Sequence, residues 1–168
     1  MDGPAKTLDE LVPAHLPQAL RFAMRLTGDP DAAEEVVQDA LLRAARSWRT
    51  FRGDSEFQTW LLRIVINVFR DWAARRPSTQ SLPSDLRDSR EAGPPDALLE
   101  AELGRLVAAK IGRLPPRQRE VLVLMAYEGL TPRDVSRVLG ISESNVYATL
   151  HVARERLRRE LAPYLVEK

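Results

Sequence analysis

Apolar residues recur every three or four positions along most of this chain, which is the period of a helix face rather than of a strand. Leu16, Leu20, Ala23 and Leu26 form one such stripe, and Gly28, Asp29 and Pro30 stop it. Ala33, Val37, Leu41, Ala44 and Trp48 form the next, with Asp31 expected to cap its start and Glu34 to complete a capping box. The segment RTFRGDSEF reads as a turn punctuated by Gly53 and Asp54, with Ser55 as the expected cap of the third helix. That helix places Phe57, Leu61, Ile64, Val68 and Trp72 on one face, widened by Trp60 and Val65. Its Ile and Val content would suit a strand, but its period is nearer 3.6 than 2.

The second half repeats the helical pattern. Leu98, Leu99, Leu103, Leu106 and Ile111 predict a lead-in helix. Pro115 and Pro116 open another, with Val121, Leu122, Leu124 and Met125 as its apolar side and Gly129 as its end. Thr131 caps a short helix with Pro132 in its first position and Val135, Val138 and Leu139 facing inward. Gly140 fits a turn, and Ser142 caps a final helix expected to end near Leu161, before Pro163.

Between the halves, residues 77–95 hold four prolines, five serines or threonines and one glycine, with little apolar content. Such a stretch is a linker. The fold class is therefore all-α, with two small helical domains (10–76 and 97–165) joined by a flexible linker (77–96), the second with a helix-turn-helix. Each domain is small enough to need a tight helical core or a partner.

Net charge is only +1 over 168 residues, but it is unevenly spread. Residues 1–42 carry 3 basic against 8 acidic groups, net −5, whereas residues 43–76 carry 8 against 3, net +5. The linker region is acidic again, and the rest is mildly basic. Such blocks let one protein offer a basic face to a polyanion and an acidic face elsewhere. With no cysteine and two distant histidines, His15 and His151, neither a disulfide frame nor a metal site is expected. The first residues lack a signal-peptide pattern and no apolar run approaches ~18 residues, so the expectation is a cytoplasmic protein without membrane insertion.

A short capped helix, a glycine turn and a second capped helix match a helix-turn-helix. In the final helix Val146, Leu150, Ala153 and Leu157 share one side, so Ser144, Tyr147, Ala148 and His151 face away from it. A groove-reading helix puts such residues on base edges. Yet the stretch between Ser142 and His151 has no lysine or arginine. A helical hairpin with no role in DNA binding is the bland alternative.

Across nearly its whole length the chain resembles the extracytoplasmic-function (group 4) sigma factors, the minimal two-domain promoter-specificity subunits of bacterial RNA polymerase. The matching runs are DPDAAEEVVQDALLRAARSW (29–48), FRGDSEFQTWLLRIVINVFRDWAARR (51–76) and LPPRQREVLVLMAYEGLTPRDVSRVLGISESNVYATLHVARERLRREL (114–161). The resemblance implies sigma region 2, a linker and sigma region 4. It implies that Glu34, Glu35, Gln38, Asp39, Arg43 and Arg46 dock on the clamp helices of the polymerase β′ subunit, with region 4 meeting the β flap. It implies that Phe51, Arg52, Gly53, Asp54 and Ser55 form a pocket for a base of the −10 element, with Arg63, Asn67, Arg70, Arg75 and Arg76 nearby. An unstacked base needs such a loop, with a ring to stack on and polar groups to bond, and arginines beside it hold phosphates. Trp60 is expected to pack rather than to stack on DNA. Promoter DNA, core polymerase and an anti-sigma factor are the implied partners, and no cofactor or catalytic residue is implied. The acidic linker is expected to follow the RNA exit path or to act as a tether.

The reading helix departs from the family. Tyr147 stands where a lysine is common, and Thr149 and Val152 where arginines are common. The −35 element would then be read through Ser142, Ser144, Asn145, Tyr147, Ala148 and His151, using polar groups and apolar contacts to thymine methyls. Arg133, Arg137, Arg154 and Arg158 (with Arg156 and Arg159) would hold the backbone. Two alternatives stay open: weak binding helped by an activator or a strong −10 contact, or a sigma-like module or decoy whose region 4 mainly binds an anti-sigma factor or regulator. A stand-alone helix-turn-helix regulator is a further reading, which the basic block at 43–76 disfavours. A receiver domain of the kind that some sigma mimics carry is not expected within these 168 residues.

Overall fold

A computed structural model describes residues 6–53, 55–76 and 95–165, and all of its regular elements are helices. Asp54 and most of the expected linker lie outside the described residues. Three helices build the first domain: α1 (Leu8–Thr27), α2 (Pro30–Ser47) and α3 (Phe57–Ala74). Four build the second: α4 (Pro95–Gly112), α5 (Pro116–Ala126), α6 (Pro132–Leu139) and α7 (Glu143–Leu165).

The start of α1 is not legible in the apolar pattern. The backbone N–H of Thr7 donates to the Glu10 carboxylate at 2.9 Å, a reciprocal arrangement that occupies an orphan donor. Gly28 ends the helix in the left-handed region, φ 72°, and its N–H donates to the Met24 carbonyl. The cap of α2 is Asp29 rather than Asp31: its side chain accepts from the Ala32 N–H at 2.8 Å. Pro30 explains the shift, because its fixed φ and missing N–H suit the first helical position. Ser55 is likewise not the cap of α3. Glu56 holds that position without a side-chain bond.

The first core is centred on Phe22, Leu26, Val36, Val37, Leu61, Leu62, Val65, Ile66 and Phe69, all buried. Alanines 32, 33, 40 and 44 line the buried side of α2, and their small side chains let α1 and α3 come close. The buried face of α3 is rotated from the expected stripe: Leu62, Ile66 and Phe69 are inside, while Ile64 and Trp72 are half-buried.

In the second domain Val121, Leu122, Val123 and Leu124 of α5 pack with Val135, Val138 and Leu139 of α6 and Val146, Leu150 and Ala153 of α7. The expected caps are in place here. Thr131 accepts from the Asp134 N–H, Gly140 sits at φ 66°, and Ser142 accepts from the Asn145 N–H at 3.1 Å. Two expectations fail. Helix α7 runs through Pro163 to Leu165, since a proline in the last turn removes one hydrogen bond and leaves most of the ladder intact. In α4, Leu98, Leu99 and Leu103 are exposed rather than inward-facing; only its later part, at Val107 and Ile111, reaches the core, and Leu106 is half-buried.

The two domains pack on each other, α3 against α6 and α1 against α4 and α5. Phe22→Ala should lower stability by about 3–5 kcal/mol, since it empties a fully buried aromatic site. Urea unfolding followed by circular dichroism measures this, and the midpoint should fall with little change in slope.

Candidate nucleic-acid interface

The loop after α2 is built on an aromatic scaffold. A single 3-10 turn, Trp48–Thr50, leads into it. Trp48 stacks on Phe51 with ring centres 5.3 Å apart, and Trp60 meets both. Phe57 lies edge-on to Trp48 and Phe51, and His15 of α1 lies edge-on to Phe57. Such pairs favour offset or edge geometries. Trp60 is therefore part of the packing, half-buried within this cluster. So is Phe51, half-buried with its ring against Trp48 and Trp60. On top of the scaffold, Arg52 and Gly53 are exposed and Ser55 is half-buried. Gly53 has φ 72°, a conformation that favours glycine at this bend. Asp54 lies outside the described residues.

Helix α3 brings Arg63, Asn67 and Arg70 onto one side, at steps of four and three. Arg63 and Asn67 are exposed. Arg70 is turned to the second domain, where it forms a two-pronged bond to Glu120, at 2.9 and 2.8 Å. That bond raises the basicity of its guanidinium. At the helix end Arg75 bonds the Asp71 carbonyl, and Arg76 stacks over Trp72 at 4.1 Å.

Helix α2 presents Glu34, Glu35, Gln38 and Arg46 to solvent, while Asp39 and Arg43 are half-buried. Arg43 pairs with Asp71 at 2.8 Å and Glu35 with Arg76 at 4.0 Å, so this surface is tied to α3 across the bundle. Both pairs are exposed and contribute little to stability. Beside them an open apolar groove between α1 and α2 is lined by Leu20, Met24, Pro30 and Ala33, with Arg21 and Glu34 at its edge.

Helix α7 keeps the expected division. Val146, Leu150 and Ala153 are buried, and Ser144, Asn145, Tyr147, Ala148, His151 and Arg154 are exposed. Tyr147 is 59% exposed. Ser142, itself exposed, is engaged as the cap. Arg133 and Arg137 stand exposed on α6, the latter 3.9 Å from Asp134, and Arg158 pairs with Glu155 at 2.6 Å. Against this face lies the start of α5: Pro115, Arg117 and Gln118 border a shallow recess with Ala148, Thr149 and Val152. Neither the polar start of α5 nor this recess stands out in the sequence, because the apolar stripe of α5 masks the residues beside it.

Among the described residues no group of three or more His, Cys, Asp or Glu is gathered for a metal ion. No helix among them is long and apolar enough to cross a membrane.

Trp48→Ala should cost about 3 kcal/mol, because it dismantles the ring cluster. Arg52→Ala should stay within about 0.5 kcal/mol, since that side chain is presented rather than packed. Thermal melting of the two variants side by side separates scaffold from surface.

Two family models match the chain: sigma-70 region 2 over residues 11–78 and sigma-70 region 4 over residues 104–157. It is 32% identical over 163 residues to the ECF RNA polymerase sigma factor SigE of Mycolicibacterium smegmatis. That match covers 95% of this chain and spans 63% of the relative's length. It is 31% identical over 176 residues to the RNA polymerase sigma-H factor of Pseudomonas aeruginosa, covering 98% and 91% of the two chains. Among solved structures, CnrH in complex with the cytosolic domain of CnrY is similar at TM-score 0.69 and 28% identity, over 92% of this chain and 87% of that one. The sigma factor RpoE of Bartonella quintana, solved in complex with the anti-sigma factor NepR, shares the fold at TM-score 0.76 and 23% identity, over 98% of this chain and 100% of that one.

Proposed function

The chain belongs to the extracytoplasmic-function (group 4) sigma-70 family of RNA polymerase sigma factors, and from that premise we propose that it is a promoter-specificity subunit that recognises −10 and −35 elements and helps to melt the promoter at the −10 element. The observation that carries the proposal is the face of α7. A capped, well-packed helix turns Ser144, Asn145, Tyr147, Ala148 and His151 outward in its first turns, where a groove-reading helix meets base edges.

The −35 contact is of an unusual kind. Tyr147 and Ala148 are suited to thymine methyls, and Asn145 and His151 to polar base edges. Phosphates are held from the flanks, by Arg133 and Arg137 before the turn and by Arg154 and Arg158 beyond it. In the first domain Arg52, Gly53, Asp54 and Ser55 take up a −10 base displaced from the duplex. The rigid rings beneath support this reading, because a base pocket needs a loop that does not move when the base arrives. Arg63, Asn67, Arg70, Arg75 and Arg76 track the strand beside it. Glu34, Glu35, Gln38, Asp39, Arg43 and Arg46, next to the groove between α1 and α2, dock on the β′ clamp helices; region 4 meets the β flap. Melting is then binding work: the separated strand is held more tightly than the duplex, and the polymerase core does the phosphoryl chemistry. The sigma factor RpoE of Bartonella quintana, solved with the anti-sigma factor NepR, supports such a partner as part of the proposal.

Capture by core polymerase, followed by transcription from a promoter with a premelted −10 region, tests the function. The sigma reading requires both. A complex that never initiates would support a decoy, and specific duplex binding without core would support a stand-alone regulator. Arg52→Ala should reduce permanganate reactivity of the −10 strand about tenfold while leaving closed complexes nearly intact; equal loss of both would refute its role. Ala148→Arg should shift the preferred −35 sequence in a randomised library by about 1–3 kcal/mol at one position; an unchanged preference would refute the placement of α7.

A further inference from the structure

The contact between the two domains is held by buried charge as well as by apolar packing. Arg70 of α3 grips Glu120 of α5, with Nε on one carboxylate oxygen and Nη2 on the other. The Glu120 side chain is 2% exposed. The neighbouring Arg119 donates across the boundary to the carbonyl of Leu26, at the C-terminal end of α1. In the turn after α5, Glu128 accepts from Gln18 at 2.7 Å and from Arg25 at 3.4 Å, and its side chain is 3% exposed. Arg25 also lies over the Tyr127 ring at 4.3 Å.

The position of the first pair matters most. Arg70 shares its side of α3 with Arg63 and Asn67, which remain exposed. A carboxylate gripped by a guanidinium fork offers the same two-oxygen acceptor as a phosphate group. Glu120 therefore stands where a nucleic-acid phosphate would have to stand to use Arg70.

We propose that Arg70 and Glu120 form a latch that keeps the two domains closed on each other, and that a nucleic-acid strand running along α3 opens it by taking Arg70 from Glu120. The inference rests on the reading of α3 as a strand-holding face. Opening such a contact is usually costly, because a buried carboxylate is left without its cation. Here Glu120 has a second one: Arg117, one turn earlier on α5, lies 3.5 Å away. Arg119 likewise keeps acceptors in its own domain, the carbonyls of Gly112 and Leu114. Glu128 gives up Gln18 and Arg25, but it lies in a turn that water reaches once the domains part. Closed and open states therefore both satisfy the charges at the boundary, which is the requirement for a two-state element.

The chain has no cysteine, so Asp31→Cys and Arg159→Cys, both at exposed positions, give one dye pair across the two domains. Energy transfer in the full chain reports closure directly. Arg70→Gln and Glu120→Gln should each lower the closed-to-open ratio at least about fivefold, and the double variant should open little further, because the two residues act as one pair. A single-stranded oligothymidine should lower transfer in the wild type and have much less effect in Arg70→Gln. If Glu120→Gln does not fold, Arg70→Gln, on the half-exposed side of the pair, decides alone. Unchanged transfer in a folded Arg70→Gln variant would overturn the latch, as would a wild type that binds the oligonucleotide without opening. Loss of polymerase-dependent transcription with this opening intact would count against the sigma reading and leave the latch standing.

Discussion

The helix period divides the residues of both functional faces between packing and presentation. In α7 the division is clean: Val146, Leu150 and Ala153 fasten the helix to α5 and α6, and Tyr147, Ala148 and His151 between them face outward. The same division governs the loop after α2. There Trp48, Phe51, Phe57 and Trp60 are spent on one another, and Arg52 and Gly53 are carried above them. In both domains the side chains proposed for recognition contribute little to folding and stand on side chains that contribute a great deal.

A second consequence is electrostatic. The acidic and basic blocks along the chain become surfaces only in part. Glu35 is drawn to Arg76 and Arg43 to Asp71 across the first bundle. Arg70 is drawn to Glu120, and Glu128 to Arg25, across the domain boundary. Burial lowers the basicity of Arg119, against the opposing charge of Glu120, yet an arginine remains charged there. The basic character of α3 is therefore shared between an outward face and an internal partner.

Much of this is legible in the sequence, and the failures have physical causes. Thr131, Pro132, Gly140 and Ser142 act through local backbone chemistry, so their roles can be read from spacing alone, and the structure bears them out. Asp31 competes with Asp29 as a cap because two acids flank Pro30, and only the proline's preference for the first helical position separates them. The Thr7 and Glu10 pairing precedes the apolar stripe that marks α1. Leu98, Leu99 and Leu103 have helical spacing, but spacing cannot say whether a partner helix is present to cover them. The bond between Arg70 and Glu120 joins residues fifty positions apart on different domains, and no local pattern announces it. Both side chains read as ordinary charged positions until the domains are brought together.

Hydrogen exchange of the full chain, alone and bound to core polymerase with promoter DNA, is the most direct measurement. Binding should slow exchange along residues 33–39 of α2, the proposed docking face. When the DNA strand takes Arg70 and the domains part, Arg119 leaves the end of α1, so amides around Leu26 and in the turn at 127–130 should exchange faster. Unchanged exchange in α2 on binding would contradict the docking surface. Undiminished protection at Leu26 and at 127–130 would contradict a chain that is closed when alone and open when at work.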